Sequence, residues 1–201
     1  TVVAATHVLI LVVSKDLGSA VVFFVAYIVM LYVATKKARY ALAGLAGGTL
    51  AAVVAYFLFN HVRQRVIVWQ DPIAVYDKVG GGYQVAQGLF GISAGGWFGM
   101  GLGKGMPNII PVVDKDFIFA AICEELGAIF AICMLLVCMS CYLMIVNVSM
   151  QMSKPFYKLI AMGLGAEYAF QVFLTVGGTS KFIPMTGITL PLVSYGGSSV
   201  I

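Results

Sequence analysis

FIFAAICEELGAIFAICMLLVCMSCYLMIVNV, residues 117–148, is the stretch of sequence that decides the fold. A membrane-spanning helix needs about 20 mostly apolar residues to cross roughly 30 Å of hydrocarbon, and this stretch exceeds that length. The composition agrees, since 61% of the residues are hydrophobic and only 10% are charged. A soluble domain with so little charge could not cover its surface with polar groups. The sequence therefore predicts a membrane protein.

Three further stretches are apolar enough to span a membrane, at residues 17–34, 41–60 and 159–176. No alternation of apolar and polar residues indicates a barrel, so we predict an all-α, polytopic bundle of transmembrane helices. The G-x-x-x-G spacing of Gly44 and Gly48 predicts close helix packing. Both ends of the chain look cut, and we expect this fragment to be inactive alone.

Two short basic loops orient the spans. The loops between the first two spans and between the last two carry Lys36, Lys37, Arg39, Lys154 and Lys158. Basic short loops are cytoplasmic, which places residues 61–116 outside as a large extracellular loop opening with a short interfacial helix. Residues 177–199 form a second outer segment, whose prolines and glycines predict a re-entrant, non-helical backbone. No longer basic run occurs, so we predict no nucleic-acid partner.

A glycine-rich run, GGWFGMGLGKG at residues 95–105, lies in the outer loop. It matches neither of the common nucleotide-binding glycine motifs. Glycine lets backbone amides approach an anion closely, so the run and Lys104 could contact a lipid diphosphate. A tightly turned re-entrant or surface loop is the alternative.

Asp116 comes directly before the long apolar stretch. An Asp in that place commonly caps a helix and favours its positive end. The alternative is a general base at the outer membrane surface that takes a proton from a sugar hydroxyl, and partial burial would raise its pKa and strengthen it as a base. Asp114 is the competitor for that role, and Asp16 has the same cap-like place before residue 17.

Two carboxylates, Glu124 and Glu125, lie inside the long apolar stretch, about 12–14 Å from its start. A carboxylate at that depth is costly unless it is paired or faces water. Adjacent helical residues diverge by about 100°, so the two cannot share one partner, and we expect at least one to face the bundle interior. Glu167 and Gln171 could line the same cavity, or all four could be polar contacts between helices.

The last outer segment carries the most specific motif. PMTGITLPLVSYGGSS, residues 184–199, resembles the signature P-x-T-G-[IV]-x-L-P-[FL]-[IV]-S-Y-G-G-S-S of the FtsW/RodA/SpoVE proteins, the SEDS (shape, elongation, division, sporulation) family. DLGSA at 16–20, GYQ at 82–84 with the glycine run, and DFIFAAICEELG at 116–127 resemble further family motifs in the same order. The resemblance covers essentially the whole chain.

The resemblance implies a peptidoglycan glycosyltransferase in the bacterial cytoplasmic membrane, which polymerises lipid II into glycan strands at the outer face during division or cell-shape maintenance. By resemblance Asp116 is the catalytic base. A divalent cation, Mg²⁺ or Mn²⁺, is implied without a ligand set, and a class B penicillin-binding protein is the implied partner. The residues predicted to bind lipid II or its undecaprenyl diphosphate are Asp16, Lys104, Glu124, Glu125, Ser194, Tyr195, Gly196, Gly197 and Ser198.

The chain departs from the family pattern just before Asp116. The family's L-P-E-x-H-T-D is IPVVDKD at residues 110–116, so Asp114 stands at the His position, and Lys115 is expected to lower the pKa of Asp116. Two other functions stay open. The protein could be a lipid II flippase that depends on the deeper carboxylates, or a non-catalytic scaffold for the transpeptidase.

Overall fold

The computed structural model of the protein describes residues 17–77 and 82–195. These residues form six α-helices and one 3₁₀ turn, with no β-strand among them, so the predicted all-α class is confirmed. The helices are α1 (Leu17–Thr35), α2 (Ala38–Leu58), α3 (Asn60–Gln70), α4 (Gly82–Gly95), α5 (Ile118–Gln151) and α6 (Pro155–Thr179), and the 3₁₀ turn is Pro107–Ile109.

Four of the helices, α1, α2, α5 and α6, are long and apolar enough to cross a membrane. Their bounds differ from the predicted spans, because α5 continues to residue 151 and α6 runs from residue 155 to residue 179. Hydropathy locates the part of a helix that suits lipid, whereas backbone hydrogen bonds carry the helix on past it.

The predicted outer loop, residues 61–116, contains two helices. The helix expected at its start is α3, and its place in the membrane interface stays a prediction. The sequence did not predict α4, whose four glycines lower intrinsic helix propensity. Tertiary contact overrides that propensity, because Gly88 lies where the ring of Phe117 would meet a Cβ at 2.7 Å.

Contacts divide the chain into two compact units. One comprises the residues up to 62 together with 139–170, and the other comprises 63–138 and the residues from 171 onward. In the first unit the predicted packing at Gly44 and Gly48 of α2 is confirmed. A Cβ on Gly44 would lie 3.1 Å from Ile28, and a Cβ on Gly48 would lie 2.6 Å from the ring of Phe24.

The second unit joins the outer-loop helices to the beginning of α5. Its core cluster consists of Val68, Val85, Ile110, Phe117 and Ala120, which come from α3, α4, the loop after α4, and the start of α5. Phe117 and Ala120 are completely buried. This core fixes the position of Asp116, the residue directly before Phe117.

Candidate active site

The second unit contains a cavity of about 180 Å³. Among the described residues, its wall carries one carboxylate, Asp116, and two cationic side chains, Arg65 and Lys181, together with Trp69 and Gln84. Arg65 and Trp69 come from α3, Gln84 from α4, and Lys181 from the turn after α6. The wall therefore has an excess of positive charge beside a single carboxylate.

Hydrogen bonds tie α3 to the segment after α6. Arg65 Nη1 donates to the carbonyl of Met185 at 3.0 Å, and Trp69 Nε1 donates to the carbonyl of Lys181 at 3.0 Å. Lys181 has a φ of +62°, a left-handed conformation that is uncommon for a residue with a side chain. These two hydrogen bonds join α3 to the segment after α6 and hold Arg65 and Lys181 at the same cavity.

Asp116 is partly buried at this cavity. A Cβ on Gly187 would lie 3.6 Å from Asp116 Oδ2 and 3.8 Å from Arg65 Nη2, so this glycine sits beside both charged groups. Burial raises the pKa of Asp116 above its ordinary value, Arg65 and Lys115 lower it, and Asp114 raises it. The balance is a raised pKa, because burial is the largest effect. Such a carboxylate binds a proton more readily than an exposed one.

The C-terminal segment holds the backbone that leads to Asp116. The carbonyls of residues 114 and 115 accept hydrogen bonds from it, and the carbonyl of Asp116 lies near the last residue of α6. The first accepts from the amide of Tyr195 at 2.8 Å, and the second accepts from Ser194 Oγ at 2.6 Å. The third lies 3.4 Å from Thr179 Oγ1, which also makes a shorter bond of 2.6 Å to the carbonyl of Thr175. The family signature thus contacts the main chain at the candidate base.

Ser194 uses its hydroxyl inside the protein. It donates to the carbonyl of Lys115 and accepts from the amide of Leu190 at 2.8 Å, and its side chain is buried. This geometry favours a positioning role over the predicted contact with substrate, which stays a prediction. Tyr195 differs, because its side chain is 75% exposed and only its amide is engaged with the loop.

The glycine-rich run packs against α5 at a kink and is hydrogen-bonded to the helix there. Gly127 interrupts the helix with φ +85° and ψ 171°. The amides of Ala128 and Ile129 donate to the carbonyls of residues 96 and 97, and the amides of residues 100 and 101 donate to the carbonyls of Glu124 and Glu125. Those four helical groups would pair with one another in an unbroken helix. The loop therefore satisfies the backbone groups that the kink sets free.

Glu124 and Glu125 also hold this loop by their side chains. Glu124 Oε1 accepts from the amide of Met106 at 2.8 Å, and Glu125 Oε1 accepts from the amide of Gly103 at 3.1 Å. The two carboxylates have different partners on the same loop. Neither residue is among those that line the cavity with Asp116. Their predicted contact with substrate stays a prediction, and the structure shows them bonded to the loop.

The other predicted site residues are spread around the chain. Lys104 is exposed, and its aliphatic part lies 3.3 Å from where a Cβ on Gly101 would be. Three amides of the glycine-rich run, those of Met100, Gly101 and Gly103, donate to α5, which leaves fewer for the predicted contact with a diphosphate. The predicted residues outside the described part of the chain are Asp16, Gly196, Gly197 and Ser198.

Sequence reasoning missed two cationic residues of the cavity. Arg65 lies in α3, where it reads as one of several basic residues of an interfacial helix. Lys181 follows α6 and reads as a basic residue at a helix end. No local pattern distinguishes either of them, because each reaches the cavity through contacts with distant segments.

Comparisons with known proteins now bear on this site. The family model FTSW_RODA_SPOVE, described as a cell cycle protein, matches residues 1–201. The chain belongs to the FtsW/RodA/SpoVE family. Membership in this family and the four apolar helices make it a multi-pass protein of the cytoplasmic membrane.

Curated relatives carry enzymatic names. The chain is 40% identical over 192 residues to "Peptidoglycan glycosyltransferase RodA" of Mycobacterium tuberculosis (strain ATCC 25618 / H37Rv), covering 96% of this chain and 40% of that protein. It is 35% identical over 209 residues to "Probable peptidoglycan glycosyltransferase FtsW" of Aliivibrio salmonicida (strain LFI1238), covering 99% of this chain and 50% of that protein. The chain thus spans about half, or less, of the length of these relatives.

One solved structure has the same fold. It is described as a peptidoglycan synthase complex that coordinates polymerization and crosslinking, and it superposes with a TM-score of 0.76 at 25% identity. The match covers 98% of this chain and 55% of that one. The FtsW/RodA/SpoVE chain described here therefore shares the fold of slightly more than half of that chain.

The divalent cation implied by the family does not find a ligand set in this part of the chain. No group of three or more His, Cys, Asp or Glu side chains in residues 17–77 and 82–195 could hold a metal ion. At the cavity a cation would meet one carboxylate and the positive charges of Arg65 and Lys181. The residues present fit an anionic ligand better than a resident cation, and the mechanism proposed below uses only groups of this chain.

Proposed function

We propose that this chain carries the catalytic base of a peptidoglycan glycosyltransferase that polymerises lipid II at the outer face of the cytoplasmic membrane, in cell division or cell-shape maintenance. The observation that carries the proposal is the cavity in which Asp116 lies with Arg65 and Lys181. The names of the curated relatives support this function, and the orientation of the spans supports an outer site.

The charges of the cavity suit glycosyl transfer from a lipid diphosphate. The Asp116 carboxylate accepts the proton of the acceptor's sugar hydroxyl as that oxygen attacks the anomeric carbon of the donor. The bond between that carbon and the diphosphate oxygen breaks, and undecaprenyl diphosphate leaves with the bonding pair. Arg65 and Lys181 stabilise the negative charge that develops on the departing oxygen. Asp116 returns its proton to solvent before the next addition.

The signature segment supports this reaction by holding Asp116 in place. The hydrogen bond from Ser194 fixes the main chain one residue before the base, and the bond from Tyr195 fixes it two residues before. A base must stay within about 3 Å of the proton it removes, so loss of this support would lower turnover more than substrate affinity.

The structural neighbour supports a proposal for the partner of the protein. That neighbour is part of a peptidoglycan synthase complex, which supports a synthase partner and association with the membrane. We propose a class B penicillin-binding transpeptidase as the partner and lipid II as the substrate, because the apolar spans and the outer cavity suit a lipid-linked sugar.

Polymerisation of lipid II by the full-length protein with its transpeptidase partner tests the function. We would compare wild type, Asp116→Asn and the control Asp114→Asn in detergent. Asn keeps the shape of Asp116 but cannot accept the proton. Asp114 is exposed and is not among the residues lining the cavity, so its change should leave polymerisation near wild type. We expect Asp116→Asn to lose polymerisation by about 100-fold or more, the usual range for a general base.

Other outcomes would favour the other two functions. Normal polymerisation by folded Asp116→Asn would show that this residue only caps α5 and that another base acts. If wild type itself does not polymerise but moves lipid II across vesicles, and loss of Glu167 stops that movement, the protein is a flippase. Binding of the transpeptidase with neither activity would identify a scaffold.

A further inference from the structure

The glycine loop, residues 96–106, exposes large apolar side chains outside the cavity and outside the core. Trp97 is 67% exposed, Phe98 85%, Leu102 76% and Met106 68%. Lys104 is the only charged residue in the loop. The loop backbone is not loosely attached, because it is bonded to α5 at the kink by main-chain and carboxylate contacts. These side chains are therefore held at a fixed level along α5.

The length of α5 shows where lipid begins along it. The kink at Gly127 divides its 34 residues, and the part after the kink, residues 128–151, is about 36 Å long at 1.5 Å per residue, enough to cross about 30 Å of hydrocarbon. Before the kink its side chains are covered by the rest of the second unit, as at Phe119, Cys123 and Glu124. After the kink, large apolar side chains become exposed from Ile129 onward. The lipid-covered part thus begins close to Gly127.

The glycine loop lies at this same level. Its bonds run to the backbone of Glu124, Glu125, Ala128 and Ile129, which flank the kink. Tryptophan and other aromatic side chains are enriched where hydrocarbon meets the headgroups, because their rings suit that boundary. A lysine there keeps its stem along apolar surface and its ammonium among headgroup phosphates. The composition of the loop matches this boundary rather than water.

We propose that the glycine loop is a lipid anchor, in which Trp97, Phe98, Leu102 and Met106 insert at the outer edge of the bilayer hydrocarbon and Lys104 contacts lipid phosphate groups. The occupant of this apolar surface is outer-leaflet lipid. Exposure of the adjoining Ile129 and Phe130 on α5 extends the same apolar surface into the membrane-spanning part of the helix.

The anchor sets the height of the candidate base above the membrane, an implication that rests on the proposed function. Asp116 precedes Gly127 by eleven residues, or at most about 16 Å along the helix direction. The headgroup layer occupies only about 5–8 Å on each side of the hydrocarbon. Asp116 therefore lies just above the headgroups, at the height of a sugar attached to a lipid diphosphate.

Depth measurement tests the anchor without any assay of activity. The full-length protein, with its reactive cysteines replaced by serine, would carry an environment-sensitive fluorophore on Phe98→Cys or Leu102→Cys, in nanodiscs. Ile73→Cys is the matched control, because Ile73 is 66% exposed and lies in the same unit outside the glycine loop. Quenching by lipids brominated near the headgroup would be compared with quenching by iodide in the water.

We expect lipids brominated near the headgroup to quench the labels at Phe98 and Leu102 at least about twofold more than the label at Ile73, and iodide to show the reverse order. Iodide quenching of both loop labels as strong as that of the control would place the loop in water and overturn the proposal. Protection of both loop labels from bromine and iodide would also overturn it, because protein would then cover the loop. Two label sites keep the test valid if one variant folds poorly, and neither result depends on glycosyltransferase activity.

Discussion

Replacement of Gly127 by alanine should be among the most damaging single-methyl changes in this chain. Gly127 has φ +85° and ψ 171°, a region of backbone conformation that is essentially restricted to glycine. A Cβ at this position would overlap backbone atoms of Trp97, Phe98 and Gly99. The methyl group therefore cannot be accommodated by rotating a side chain, and the glycine loop has to move away from α5.

The cost follows from what that movement breaks. Four backbone hydrogen bonds join the loop to the residues flanking the kink, and each contributes about 1 kcal/mol. Conformational strain at an alanine in this region adds about 1–3 kcal/mol. We therefore expect a loss of about 5–7 kcal/mol in the free energy of unfolding, a large part of the 5–15 kcal/mol that stabilises a typical domain.

The assay is thermal unfolding of the full-length protein in detergent, in which size-exclusion chromatography of heated samples measures the fraction that stays folded. Gly47→Ala is the control, because Gly47 lies in a helix and a Cβ there would have no atom within 4 Å. We expect the control to be neutral or more stable by about 0.5–1 kcal/mol, since alanine favours helix over glycine. If Gly127→Ala unfolds at the same temperature as Gly47→Ala, the loop is not held at the kink as described and our account of α5 is wrong.

Four further predictions concern the site and the packing around it. The acid limb of the pH profile of polymerisation should lie above the ordinary Asp pKa, because burial raises the pKa of Asp116 and activity is lost as pH falls through that raised value. Because its pKa is raised in the folded state, ionisation of Asp116 opposes folding, so the stability of the protein should decline as pH rises from the ordinary Asp pKa through the raised one. Asp116→Asn should remove that decline in thermal unfolding measured over a series of pH values. Ser194→Ala should lower kcat about tenfold or more with little change in KM, because the carbonyl of Lys115 loses its hydrogen bond. Ser194→Thr should restore part of the rate, and an unchanged kcat in Ser194→Ala would argue against a role of Ser194 in positioning Asp116. Gly95→Ala should lower the free energy of unfolding by several kcal/mol, because a Cβ would overlap the backbone carbonyl of Cys123. Melting followed by circular dichroism measures this, and an unchanged melting temperature would contradict the contact.

The membrane-spanning architecture could be predicted from local sequence because it depends on composition. The apolar run at residues 117–148 has to be shielded from water wherever the rest of the chain lies, and the backbone in lipid has to be helical. The bounds were less predictable, since α5 and α6 extend beyond their most apolar residues. α4 was missed because its glycines look unfavourable until α5 and the residue before it pack on them, with Phe117 against Gly88 and the Cys123 carbonyl against Gly95.

The candidate site was predictable only at Asp116, through its place before α5 and its resemblance to the family motif. Its surroundings depend on contacts between residues far apart in the chain. Arg65 is bonded to a carbonyl 120 residues later, and Ser194 to one 79 residues earlier. No periodicity or short motif encodes such pairs, because they form only when separate helices pack.

Sequence alone determined that this protein spans a membrane, that its spans are helical, and that Asp116 lies just before one of them. Only the tertiary structure decided that Arg65 and Lys181 share a cavity with that residue, and that Glu124 and Glu125 bond to the glycine loop. The physical reason is the difference in range, along the chain, of the interactions involved. Transfer of apolar residues into lipid depends on the residues themselves, whereas a hydrogen-bonded site depends on where distant parts of the chain meet.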